Sequence, residues 1–247
     1  QPIEVLKPFL IIILATIFCD IRSNILFKYL ISIILISVIS LLLIAQPDIG
    51  QTLLVVFCWA ALIFTSGINI YILLAIFIAG ASLLAYLIIY VPRFDYIQGR
   101  IFSFFNRETG THNFQSDKAI ESITSGGFFG KGIGEGVLKN RVPEAHTDYI
   151  ISVISEEFGV VAIMLILLLF LILIYMVFKK ISFETNDKVK LILIGSISLI
   201  LMQATIHVGV NIRLFPTTGM TLPFLSYGGS SIISTSILAG IILNLTK

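Results

Sequence analysis

Charged side chains are scarce in this sequence, and those in or beside apolar runs gather at particular run ends. Glu4 and Lys7 enter the first run, and Asp48 follows Gln46 and Pro47 in a short break. His146 and Asp148 stand before a long run that carries Glu156 and Glu157, while His207 and Arg213 lie at the end of another. Ionisable groups in such places are costly and are candidates for function by default. The sharpest is Asp148, which ends the polar cluster Pro143, Glu144, Ala145, His146, Thr147, Asp148 where an apolar run begins. Partial burial raises a carboxyl pKa, and a carboxylate so placed can act as a general base on a sugar hydroxyl of a lipid headgroup.

Structural readings stand beside these. Glu4 and Lys7 are three apart and suit a local helix ion pair. Asp48, and Asp148 with Thr147, suit helix N-caps. Glu156 and Glu157 are adjacent, so at most one of them faces a cavity. His207 suits a buried, hydrogen-bonded histidine. No HExxH spacing or other zinc pattern occurs, nor a GxSxG elbow. The glycines at 126, 127, 130, 132, 134 and 136 are not in P-loop order, since Gly132 follows Lys131. They read as a close-packed or re-entrant turn.

The elements that must position these residues are set by composition. Apolar residues make up 57% of the 247, charged residues 12%, and mean hydropathy is +1.03. That is about half the charge of an ordinary soluble domain, so lipid is the solvent that suits this chain. The net charge of +2 gives no footprint for nucleic acid. Cys19 and Cys58 lie in apolar runs and read as small buried hydrophobes. The fold class expected is an all-α, polytopic membrane bundle. A span needs about 20 apolar residues, and seven runs qualify: 8–19 (preceded by 3–6), 29–45, 49–65, 68–91, 149–178, 189–208 and 224–245. They are continuous rather than alternating, which favours helix over barrel.

Arg22 and Lys28, then Lys179, Lys180, Lys188 and Lys190, then Lys247 fall on one side of a seven-span bundle, and that side is expected to be cytoplasmic. Residues 46–48, 92–148 and 209–223 then lie outside. The long loop 92–148 carries seven basic and seven acidic residues. In it Ile97, Ile101, Phe104 and Phe105 share helical spacing, which fits either a helix in the headgroup layer or a loop helix packed on its neighbours. The first residue is not Met, and an internal position in a longer protein is expected.

Five stretches give the sequence a family likeness: QPIEVLK (1–7), AQPDIGQ (45–51), SGGFFGKGIGEGV (125–137), VPEAHTDYIISVISEEFG (142–159) and PTTGMTLPFLSYGGSS (216–231). In these, and in their order, it resembles the SEDS family of bacterial cell-wall polymerases, with wording nearer the division branch than the elongation branch. The resemblance implies ten transmembrane helices, of which the last seven are present here in a single transmembrane domain, 1–247. It implies a glycosyltransferase that polymerises lipid II outside the cytoplasmic membrane, at the division septum. A lipid II flippase and a non-catalytic scaffold of the division complex are the alternatives. It carries the catalytic Asp onto Asp148 and marks Glu4, Lys7, Asp48, His146, Glu157, Arg213 and Ser226 as cavity-lining. It implies an assisting divalent cation, Mg²⁺ or Mn²⁺, near Asp148, with no organic cofactor. The partners implied are a class B penicillin-binding protein and other membrane proteins of the division machinery. Ile3, Gln51 and Arg107 depart from the family's usual Ser, Thr and Pro, and none is expected to touch the acidic positions.

Overall fold

A computed structural model describes residues 1–20, 24–105, 111–138 and 142–247. Arg22, in the first connection, and Arg107 lie outside them. The described residues form helices and turns. The helices are α1 (Pro2–Cys19), α2 (Ile25–Ala45), α3 (Ile49–Thr65), α4 (Ile70–Tyr90), α5 (Asp95–Phe105), α6 (Thr111–Gly126), α7 (Ile150–Phe183), α8 (Asp187–Asn211) and α9 (Gly229–Thr246). Six are long and apolar enough to cross a membrane, and α3 is a shorter apolar helix. Those seven are the runs expected from hydropathy, and the protein is an integral membrane protein.

The chain divides into two compact units. The first comprises Gln1–Gln98, Val177–Met202 and Ile233–Lys247. Its core packs Leu14 and Ala15 of α1 against Val55, Trp59, Leu62 and Ile63 of α3, with Ile36 and Leu43 of α2. Local polar groups set the helix ends. Asn24 and Asn69 cap α2 and α4, and Asp48 caps α3 by accepting the Gln51 N–H at 3.1 Å. Lys28 Nζ donates to the Phe18 carbonyl at 3.1 Å, satisfying an end of α1 that has no further turn to bond it. Most of the surface of α2 and α4 is exposed and apolar, as membrane helices require.

The second unit comprises Gly99–Met176 and Gln203–Ile232, and two expectations change there. The apolar run 149–178 is not one continuous helix. Gly159 breaks α7 with φ 78° and ψ −178°, leaving a short helix that carries Glu156 and Glu157 and a longer apolar one beyond it. The last span begins at Gly229, not at 224. Pro223 and the left-handed φ of Phe224, 68°, hold residues 223–228 out of the helix although they are apolar enough to join it.

The glycine-rich stretch explains the break. Gly127 and Phe128 carbonyls accept the N–H groups of Val160 (3.0 Å) and Val161 (3.3 Å), and Lys131 and Gly132 N–H groups donate to the carbonyls of Glu156 (2.9 Å) and Glu157 (3.0 Å). Main chain thus bonds main chain with nothing between. A Cβ on Gly130 would collide with the Glu157 carbonyl, and one on Gly159 with the Phe128 carbonyl. The turn expected from six glycines is a weld to the point where α7 breaks.

The helical spacing in the long loop is realised as helix α5, with one side packed on its neighbours and the other exposed. Ile97 and Ser103 are buried, while Ile101 and Phe102 are exposed.

Candidate active site

Asp148 stands in a turn whose backbone is held at every step. The Glu144 carbonyl accepts the N–H groups of Thr147 (3.1 Å), Asp148 (3.1 Å) and Tyr149 (3.3 Å). This uses a left-handed Glu144, φ 54°, a conformation that a non-glycine residue adopts only under constraint. Three consecutive carbonyls are then tied from the C-terminal part of the chain. His146 O accepts from Tyr227 N at 2.9 Å, Thr147 O from Ser226 Oγ at 2.7 Å, and Asp148 O from Asn211 Nδ2 at 3.0 Å. Ser226 Oγ also accepts the Leu222 N–H at 2.8 Å, so its hydroxyl donates once and accepts once. The hydrogen bonds that fix this turn run through its backbone and not through the Asp148 carboxyl.

The segment 216–222 passes against that carboxyl. A Cβ built on Gly219 would sit 3.6 Å from Asp148 Oδ2. Arg100 Nη1 donates to Thr217 O at 3.0 Å, and Gln203 Nε2 donates to Thr221 O at 3.0 Å. His207 Nδ1 lies 2.7 Å from Met220 O. The ring therefore carries its proton on Nδ1, and Nε2 is left as an acceptor. Nε2 is buried without a partner among the described residues, as are Tyr149 Oη and Asn211 Oδ1.

Burial pushes the Asp148 carboxyl up to about 6, the Glu144 charge adds to the rise, and the Arg100 charge opposes it. The neighbouring Tyr149 phenol is raised too, by burial and then by the Asp148 charge. A carboxyl near 6 is still ionised at neutral pH and is more basic than an ordinary aspartate, which suits a general base.

A second hub lies in the same unit. Glu156 is fully buried, and its Oε1 accepts the N–H groups of Val137 (3.0 Å) and Leu138 (2.9 Å) and faces Lys131 Nζ at 3.4 Å. Ser122 Oγ donates to Oε2 at 3.2 Å. Glu157 is partly exposed, and its carboxylate accepts the Gly134 N–H at 3.3 Å. Of the two adjacent glutamates, Glu156 is the organising one. Arg213, left-handed at φ 59°, pairs with Asp117 through Nη1.

The first unit holds the remaining residues singled out by sequence. Lys7 Nζ lies 2.7 Å from Glu4 Oε2, both side chains being buried. Gln51 closes a ring with them, donating from Nε2 to Glu4 Oε1 and accepting from Lys7 Nζ at 3.1 Å. This corrects an expectation: Gln51, a departure from the family pattern, does touch an acidic position. Asp48 caps the helix that carries Gln51.

Sequence reasoning missed Asn211, Gln51 and Arg100. Gln51 could have been found, because a polar residue three beyond the Asp48 cap in an apolar helix is an anomaly in itself. Among the described residues no three His, Cys, Asp or Glu side chains converge into a group that could hold a metal ion.

Comparison with known proteins adds a lineage to this geometry. The profile of the FtsW/RodA/SpoVE family, described as cell cycle protein, matches residues 1–247. A Caulobacter vibrioides protein named probable peptidoglycan glycosyltransferase FtsW is 34% identical over 254 residues, covering all of this chain and 63% of the relative. A protein of the same name from Enterococcus hirae is 33% identical over 260 residues, covering 100% and 65%. The chain thus spans a little under two thirds of these relatives. Among solved structures, a chain from a peptidoglycan synthase complex that coordinates polymerization and crosslinking superposes with a TM-score of 0.79 at 26% identity, covering all of this chain and 69% of that one. Thermus thermophilus rod shape determining protein RodA superposes with a TM-score of 0.64 at 28% identity, covering 100% and 64%.

Proposed function

The chain belongs to the FtsW/RodA/SpoVE family of cell cycle proteins, and from that premise we propose that it carries the polymerising site of a peptidoglycan glycosyltransferase, with lipid II as substrate and Asp148 as general base. The observation that carries the reading is the Asp148 carboxyl. It sits on a turn whose three carbonyls are bound from elsewhere, and it is raised to about 6 by burial.

In this reading Asp148 takes the proton from the 4-hydroxyl of the acceptor sugar. The freed oxygen attacks the anomeric carbon of the lipid-linked donor from the face opposite its leaving group. The bond to the diphosphate oxygen breaks, that carbon is inverted, and undecaprenyl diphosphate departs with the electron pair. A positioned base contributes about 10²–10⁴-fold, so placement of the two sugars and stabilisation of the departing charge supply the rest. Arg213 suits the second task. Its Nη1 pairs with Asp117, its Nη2 is buried without a partner among the described residues, and it follows Asn211, which holds Asp148, by two positions.

The names of the relatives support peptidoglycan glycosyl transfer, and the family's description as cell cycle protein fits wall synthesis during division. The synthase complex supports a membrane-bound transpeptidase of the penicillin-binding class as partner. The test is purified whole protein with labelled lipid II. Long glycan products that disappear in Asp148→Asn support the reading. Lipid II carried across vesicles with no glycan formed would replace it with transport.

A further inference from the structure

Arg100 is joined to the Asp148 site in two ways that do not depend on each other. The first is mechanical. Its Nη1 donates to the Thr217 carbonyl at 3.0 Å, and two residues on, Gly219 lies against the carboxyl, within 3.6 Å of Oδ2 for a Cβ built there. Arg100 on α5 therefore anchors the strap that walls one side of the carboxylate. The second is electrostatic. Among the described residues, the charged and titratable groups that act on Asp148 are Glu144 on its own turn, the adjacent Tyr149, and Arg100 from α5. Burial and Glu144 favour the protonated carboxyl, and Arg100 opposes them. Arg100 opposes the rise of the Tyr149 phenol as well, so its charge acts on both neighbours.

We propose that Arg100 is a positioning residue of this site: it holds the 216–220 strap against Asp148 and lends the site its permanent positive charge. The inference rests on the reading of Asp148 as the base of glycosyl transfer. It assigns a task to a residue in the long loop that lies outside the five stretches carrying the family likeness. A planar, permanently charged guanidinium suits both parts of that task, one arm bonding a carbonyl while the charge faces a carboxylate.

The experiment compares the whole protein with Arg100→Gln and Arg100→Lys by two readouts. One is the infrared titration of the Asp148 carboxyl band, assigned by its loss in Asp148→Asn. The other is the pH profile of lipid II polymerisation. Arg100→Gln is expected to move the carboxyl midpoint and the acid limb of kcat/KM to higher pH, so that its deficit is largest in acid and shrinks in alkali. Arg100→Lys keeps the charge, loses the forked geometry, and should titrate near the parent with a lower kcat. A merely structural role would lower activity equally at all pH values. An unchanged carboxyl midpoint in Arg100→Gln overturns the proposal, as does an equal upward shift in both variants. If the midpoint shifts while neither parent nor variants polymerise lipid II, the coupling of Arg100 to Asp148 stands and the glycosyltransferase reading fails.

Discussion

Asn211 Nδ2 donates to the main-chain carbonyl of Asp148 at 3.0 Å and also to the carbonyl of His207, one helical turn earlier, at 2.9 Å. One amide at the end of α8 therefore fixes the residue that the account makes catalytic. Asn211→Ala leaves the Asp148 carbonyl without that donor, at a cost of about 1–3 kcal/mol if no water replaces it. The expected result is a folded protein with lower kcat and little change in KM, because the loss falls on orientation of the base. Steady-state kinetics on lipid II check this, and a rise in KM alone would place Asn211 in substrate binding.

Glu156 organises the long loop through a different device, a buried carboxylate shared by two main-chain N–H groups, Ser122 and Lys131. Glu156→Gln keeps the volume but offers only one acceptor oxygen and no charge for Lys131. Hydrogen bonds to a charged group contribute about 1.5–3 kcal/mol each, so both Glu156→Gln and Glu156→Ala should lower the unfolding temperature in detergent, the alanine further. Limited proteolysis should cut residues 126–138 faster in both. Glu157→Gln, at the more exposed neighbour, should change either measurement little.

The weld between the glycine turn and α7 makes a sharper demand. Gly159→Ala places a Cβ against the Phe128 carbonyl at a left-handed backbone position, so no side-chain adjustment relieves it. We expect this variant to lose stability comparably to Glu156→Ala, whereas Gly134→Ala, with open space around it, is strained only by its own φ and should be milder. Thermal unfolding of the two in the same detergent decides the ranking.

How far the site was legible in sequence differs from residue to residue. Hydropathy located the seven apolar helices because the runs are continuous rather than alternating, and the continuity of 149–178 hid the break at Gly159. The glycine run announced a close-packed turn. Its partner, the carbonyls and N–H groups of 156–161, was invisible because main-chain bonding across thirty positions leaves no mark on side-chain types. Asp148 stood out through its polar setting, whereas Asn211 matched no pattern. Ser226 was read as lining a cavity, and its hydroxyl is spent on the Leu222 N–H and the Thr147 carbonyl.

In the first unit, Glu4, Lys7 and Gln51 form a buried ring. Removing one partner of such a pair costs about 3–5 kcal/mol, because the other charge is left buried and uncompensated. Lys7→Met should therefore destabilise strongly, and the double variant Glu4→Gln with Lys7→Met should recover much of the loss. Unfolding midpoints of both singles and the double, combined in one cycle, check this. Additive losses would show that the pair is not coupled.

The pH behaviour of Asp148 has two sides with opposite signs. Its folded-state pKa, about 6, lies above the ordinary value of 3.8, so the folded protein holds this proton more tightly than the unfolded chain does. Stability from this group is therefore lost as pH rises from about 4 through 6, and the ionised carboxylate is a net cost above that. Asp148→Asn removes the cost, and should unfold at a higher temperature than the parent at pH 7–8, with the difference shrinking towards pH 4. Activity runs the other way, rising as the carboxyl ionises.

The most direct measurement is polymerisation of labelled lipid II by the whole protein and by Asp148→Asn, across pH 5 to 8, with the unfolding temperature of both recorded in the same buffers. The account predicts glycan synthesis by the parent that rises through a midpoint near 6, and none above background by Asp148→Asn, which is nonetheless the more stable protein at neutral pH. Near-normal glycan synthesis by a stable Asp148→Asn at pH 7 would contradict it.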